Sequence, residues 1–111
     1  MASDRVQTIT DGNFDSTITN ATVPVLVDFW AAWCQPCLRL GPAVDGLAAD
    51  FDGKLIVGKM NVDENQVTPS RFGVRSIPML ILFKGGKAVD QSIGLVSKDA
   101  LKAMVTPHIA G

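Results

Sequence analysis

Apolar positions fall along this chain in two kinds of block. Val25-Leu26-Val27-Asp28-Phe29-Trp30, Leu55-Ile56-Val57-Gly58-Lys59-Met60 and Met79-Leu80-Ile81-Leu82-Phe83 are near-continuous runs of strand length. Such runs suit strands covered on both faces, as in a parallel sheet between helices. Lys84-Gly85-Gly86-Lys87 is a turn signal, so the next strand, Ala88 to Ile93, returns as a hairpin and makes the sheet mixed. The second kind of block has helical spacing. Leu40, Val44, Leu47, Ala48 and Phe51 share one helix face, and Pro42 within that helix removes a backbone donor and predicts a kink. Ser97 is placed to cap a last helix with the stripe Leu101, Met104, Val105 and His108 or Ile109. A first helix around Asn13 to Thr19 is weakly marked, and Val67 to Phe72 is a short helix at most. The order is strand, helix, strand, helix, strand, short helix, strand, strand, helix. That alternation predicts an α/β fold with an antiparallel hairpin near the end.

No repeat, low-complexity tract or linker interrupts the 111 residues, so a single domain over 1–111 is expected. Hydrophobic residues make up 47% and charged residues 19%, a balance that closes a core and argues against disorder. Net charge is −1, which gives no electrostatic case for nucleic acid or an anionic membrane. No apolar run approaches the roughly 18 residues of a membrane helix. The start, Met1-Ala2-Ser3-Asp4-Arg5, has no apolar signal core, so an unexported, cytoplasmic chain is expected. Two cysteines and one histidine are too few for a disulfide scaffold or an all-Cys/His structural zinc site.

Those two cysteines carry the chemistry. Trp33-Cys34-Gln35-Pro36-Cys37 lies where a buried strand ends and a helix begins. Sulfurs three residues apart can bridge across a first helical turn. Cys34 at the helix start meets unpaired N–H groups and the positive end of the macrodipole, which favour a thiolate and an attacking role. Cys37, one turn in, is shielded and suited to attack a mixed disulfide and release the product. Pro36 fits an early helical position, where its missing N–H costs nothing. Other readings compete. The pair is half a zinc site without its other half, it lacks the histidine of a haem attachment motif, and buried cysteines are often inert.

Across about Val6 to Ile109 the sequence resembles the thioredoxin family. The resemblance rests on Val27-Asp28-Phe29-Trp30-Ala31-Ala32-Trp33-Cys34-Gln35-Pro36-Cys37, then Pro42, then Lys59-Met60-Asn61-Val62-Asp63, then Val74-Arg75-Ser76-Ile77-Pro78, then Leu82-Phe83-Lys84-Gly85-Gly86-Lys87, and Gly94. It implies a thioredoxin fold: a central mixed sheet of about five strands flanked by four helices. It implies a protein-disulfide reductase that cycles Cys34 and Cys37 between dithiol and disulfide. It further implies disulfide-containing client proteins, a thioredoxin reductase as electron donor, no bound cofactor and no metal. A monomer is expected.

The same resemblance assigns supporting residues. Asp28 interrupts an apolar strand and is either an edge or bulge carboxylate facing water or a buried one pushed toward its neutral form. The family role is a buried proton acceptor for Cys37. Lys59 is either a snorkelling surface lysine or, by resemblance, a charge that modulates Asp28. Pro78 is the family's cis-proline opposite the disulfide, with Ile77 offering its backbone to an extended client. Trp33, Gln35, Pro36, Val62, Ile77, Pro78, Gly94 and Leu95 form an expected docking rim, with Gly94 allowing close backbone approach. Trp30 and Pro42 are expected to be structural. His108 is read as a solvated helix-terminal residue remote from the chemistry.

The chain departs from the family pattern at several places. Gln35-Pro36 stands for the usual Gly-Pro, Leu38 for a common lysine, Met79 for a usual threonine, Ser76 for a frequent glycine, and Ala32 for a variable polar residue. These changes bear on redox poise and choice of client. Two other functions compete: a specialised oxidant or isomerase on the same fold, and a non-redox binding subunit using the same surface. A metal or iron–sulfur site shared by two chains through the cysteines is a third.

Overall fold

A computed structural model describes residues 4–109, so the Met1–Ser3 part of the start lies outside the described residues. The elements run β1 (Val6–Thr8), α1 (Phe14–Asn20), β2 (Val25–Trp30), α2 (Gln35–Asp50), β3 (Ile56–Asn61), α3 (Val67–Arg71), β4 (Met79–Lys84), β5 (Lys87–Ile93) and α4 (Lys98–Val105), followed by a 3₁₀ turn over Thr106–His108. The strands form one five-stranded sheet in the order β1-β3-β2-β4-β5. β1 and β2 each pair parallel to β3, while β4 runs antiparallel to both β2 and β5. The mixed sheet and four helices are those expected from the sequence.

Local chemistry explains the elements. The apolar runs of β2 and β4 are buried on both faces except at one end residue each. Val25, Val27, Phe29, Met60, Ile81 and Phe83 face α1, where Phe14 packs edge-on against Phe83 at 5.3 Å between ring centroids. Leu26, Val57, Leu80 and Leu82 face α2 and α4 and meet Leu40, Val44, Leu47, Leu101 and Val105. This alternation puts Asp28 and Lys59 on the α2 side of the sheet. Gly85 and Gly86 both take positive φ, the backbone that a two-residue hairpin between β4 and β5 demands. Ser97 caps α4, accepting the Ala100 N–H on its Oγ at 3.1 Å. α2 runs as one helix from Gln35 to Asp50 with Pro42 inside it, on an exposed face.

Gly58 marks a close approach. A methyl group there would run into the Ile9 side chain, which is itself buried. Gly58→Ala is therefore expected to cost about 1–3 kcal/mol through overpacking. Urea denaturation measures this, and an unchanged midpoint would show that Ile9 moves aside freely.

Candidate active site

β2 delivers the chain to the site and α2 carries it away. Cys34 is the N-cap of α2, with Gln35 and Pro36 in the first turn and Cys37 one turn in. Cys34 and Cys37 are joined by a disulfide. The Cys37 N–H donates to Cys34 Sγ at 3.2 Å, so the helix end serves that sulfur directly. The Ile77 carbonyl oxygen lies 3.8 Å from the same sulfur. Cys34 is 4% exposed and Cys37 1%, and Ala31, Trp30, Val62 and Ile77 pack around them. The shielding expected for Cys37 thus extends to most of Cys34. The neighbours Gln35 and Pro36 are exposed.

The Ile77–Pro78 peptide bond is cis. Pro78 is buried, and its carbonyl accepts the Gly94 N–H at 2.8 Å, which ties the loop after β5 to the site. Gly94 has φ +88°, so its backbone conformation favours glycine, while the space beside it is open. Leu95 is exposed, and Trp33 is 67% exposed.

Asp28 resolves the choice between a surface and a buried carboxylate. It is in the middle of β2, a central strand, opposite Lys59 on β3 and Leu80 on β4. It is 1% exposed, and neither carboxylate oxygen has a hydrogen-bond partner among the described residues. Burial pushes its pKa from the ordinary 3.8 up to about 7, against the opposing pull of the Lys59 charge. Lys59 is half-buried, and its ammonium lies 4.8 Å from the centroid of the Trp30 ring. Trp30 therefore holds a charge as well as filling space.

Some contributors are not evident from sequence. Trp33 Nε1–H donates to Asp63 Oδ2 at 2.9 Å, and the Asp63 N–H donates to Asn61 Oδ1 at 2.9 Å. Asn65 continues this web by donating to the Asn61 carbonyl and accepting the Asp11 N–H. Asp11 in turn accepts the Val67 and Thr68 N–H groups at the start of α3. The only local signal was the polar run after β3; the partners are more than fifty residues apart for Asp11. Pro42 takes part in none of these hydrogen bonds. His108 ends the 3₁₀ turn far from the chemistry, as expected, but it is half-buried: it lines a cavity with Ala21–Pro24 and Lys84 at the start of β2, the opposite end of that strand from Cys34.

A buried strand feeding a disulfide at a helix N-terminus, faced by a cis-proline loop, defines a dithiol–disulfide oxidoreductase. The family model described as Thioredoxin matches residues 5–107. With that match and the relatives below, the chain belongs to the thioredoxin family. It is 49% identical to "Thioredoxin 2" of Chlorobaculum tepidum over 100 residues, covering 90% of this chain and 92% of that protein. It is 48% identical to the thioredoxin of Haemophilus influenzae over 101 residues, covering 91% and 94%. Against the thioredoxin of Pseudomonas aeruginosa the identity is 45% over 107 residues, covering 96% and 99%. The fold is the thioredoxin fold, and the protein is a thiol–disulfide oxidoreductase of the protein-disulfide reductase type acting on disulfide-containing clients. No helix among the described residues is long and apolar enough to cross a membrane.

Proposed function

We propose that Cys34 is the nucleophile and Cys37 the resolving thiol of a cytoplasmic thioredoxin cycle. The observation that carries this is the position of Cys34 as N-cap of α2, where the Cys37 N–H points at its sulfur. After reduction, that donor and the helix end favour a thiolate at Cys34. The thiolate attacks one sulfur of a client disulfide, forms a mixed disulfide and expels the other client sulfur as a thiolate. Cys37 then gives its proton to the Asp28 carboxylate and attacks Cys34 Sγ. The Cys34–Cys37 disulfide forms and the second client thiolate leaves. Two electrons have passed to the client, and a thioredoxin reductase returns them.

Asp28 suits the proton step because its pKa of about 7 lets it exchange a proton near neutral pH. Lys59 keeps that value from rising further. Trp33, Gln35, Pro36, Val62, Ile77, Pro78, Gly94 and Leu95 make the client rim, with the Ile77 backbone next to the reacting sulfur. Limited alkylation tests the assignment. Reduced protein treated with less than one equivalent of iodoacetamide at pH 7 is expected to carry the label on Cys34 about tenfold more often than on Cys37. Label mainly on Cys37 in fragment-ion mass spectra would reverse the roles.

A further inference from the structure

The Ile77, Pro78 and Gly94 part of the rim lies toward β4 and β5. On the opposite side of β2, toward β3 and β1, the site has a second surface. Leu38 follows Cys37 directly and sits one helical turn from Cys34, whose carbonyl accepts the Leu38 N–H at 3.1 Å. Leu38 therefore lies in the first turn of α2, on the chain segment that carries both sulfurs. It is 47% exposed, an apolar side chain on the residue that follows the disulfide's second cysteine.

Leu38 is also a wall of a groove of about 430 Å³. Trp30, Lys59, Asn61, Glu64, Asn65 and the edge strand β1 with Ile9 after it complete the lining. Trp30 belongs to both places, since it packs against the cysteine cluster and lines the groove. Trp30 thus links the packing around the cysteines to one wall of the groove. One of its two charged groups, the Lys59 ammonium, is already engaged on the Trp30 ring. Leu38 and Trp30 give the groove an aliphatic wall and an aromatic one within a lining that is otherwise mostly polar.

We propose that Leu38 and this groove form a second client subsite that takes an apolar side chain next to the client's reacting cysteine. The subsite rests on Cys34 being the sulfur to which the client attaches. Burying a client side chain against a half-exposed leucine removes enough apolar surface for about a tenfold preference. Position 38 is then a specificity residue: leucine selects apolar neighbours, and a cation there would select acidic ones.

Peptide disulfides with leucine, aspartate or lysine beside the reacting cysteine test this, with hydroxyethyl disulfide as a control that has no flanking side chain. Single-turnover oxidation of the reduced protein is followed by tryptophan fluorescence, and each peptide rate is divided by the control rate. The parent is expected to prefer leucine over aspartate about tenfold. Leu38→Lys should abolish or invert that ratio, and Leu38→Met should keep most of it. A parent with no preference for leucine, or a ratio unchanged in Leu38→Lys, overturns the subsite. A reduced parent inert toward hydroxyethyl disulfide as well overturns the Cys34 assignment, and the subsite with it.

Discussion

Reduced Cys37→Ser protein is expected to stop at the first half of the reaction. Cys34 keeps its place at the N-cap of α2, so attack on a client disulfide proceeds. The mixed disulfide then persists, because a serine hydroxyl does not displace a thiolate from sulfur under these conditions. Non-reducing gels and intact mass should show a one-to-one adduct that dithiothreitol releases. Cys34→Ser should show neither adduct nor turnover above the level without protein, since the thiolate is the nucleophile. If the adduct accumulates instead on Cys34→Ser and not on Cys37→Ser, the roles of the sulfurs are exchanged. Multiple-turnover reduction should vanish in both variants.

The second large effect concerns Asp28. Its folded-state pKa of about 7 stands well above the ordinary 3.8, so between these pH values the folded protein holds a proton that the unfolded chain has lost. Stability therefore falls as pH rises through that window, and the loss is complete above pH 7. Carrying the carboxyl from 3.8 to about 7 corresponds to about 4 kcal/mol. Asp28→Asn cannot ionise, so its stability relative to the parent should improve by about 4 kcal/mol between pH 4 and pH 8. Taking that difference between two pH values cancels the constant cost of a buried amide. Urea denaturation at the two pH values measures it, and a flat difference would place the carboxylate in contact with water.

Activity should move the opposite way. The parent's resolving step should accelerate as Asp28 ionises near pH 7, and Asp28→Asn should lose that limb and run about 10²-fold slower at pH 8. A variant that resolves at the parent rate across neutral pH would remove the proton-acceptor role. Better stability with worse chemistry is the mark of a group kept in the core for function.

The apolar runs of β2 and β4, the Gly85-Gly86 turn and the Ser97 cap were legible because each depends on residues adjacent in sequence. The first strand was not bounded from sequence: β1 has three residues, only Val6 is half-buried, and no alternation can develop over that length. The two cysteines were legible for the same reason as the turns, since a first helical turn brings residues three apart together.

Other features arise only from folding. Asp28 stood out as a polar residue in an apolar strand, yet its fate depended on where β2 sits. Pairing with β3 on one side and β4 on the other makes β2 central, removes water from both carboxylate oxygens and sets Lys59 alongside. The Trp33–Asp63 bond and the ties from Asp11 to α3 join distant parts of the chain, which no local pattern encodes. Leu38 read in sequence as a lost charge and added apolar surface, and only the packing of β1, β3 and α2 made it the wall of a groove. By itself, then, the sequence determined the elements and the redox pair, because short-range spacing and backbone chemistry suffice for them. The tertiary structure decided the proton site, the aromatic contacts and the client surfaces, because burial and electrostatics depend on what the remote chain brings near.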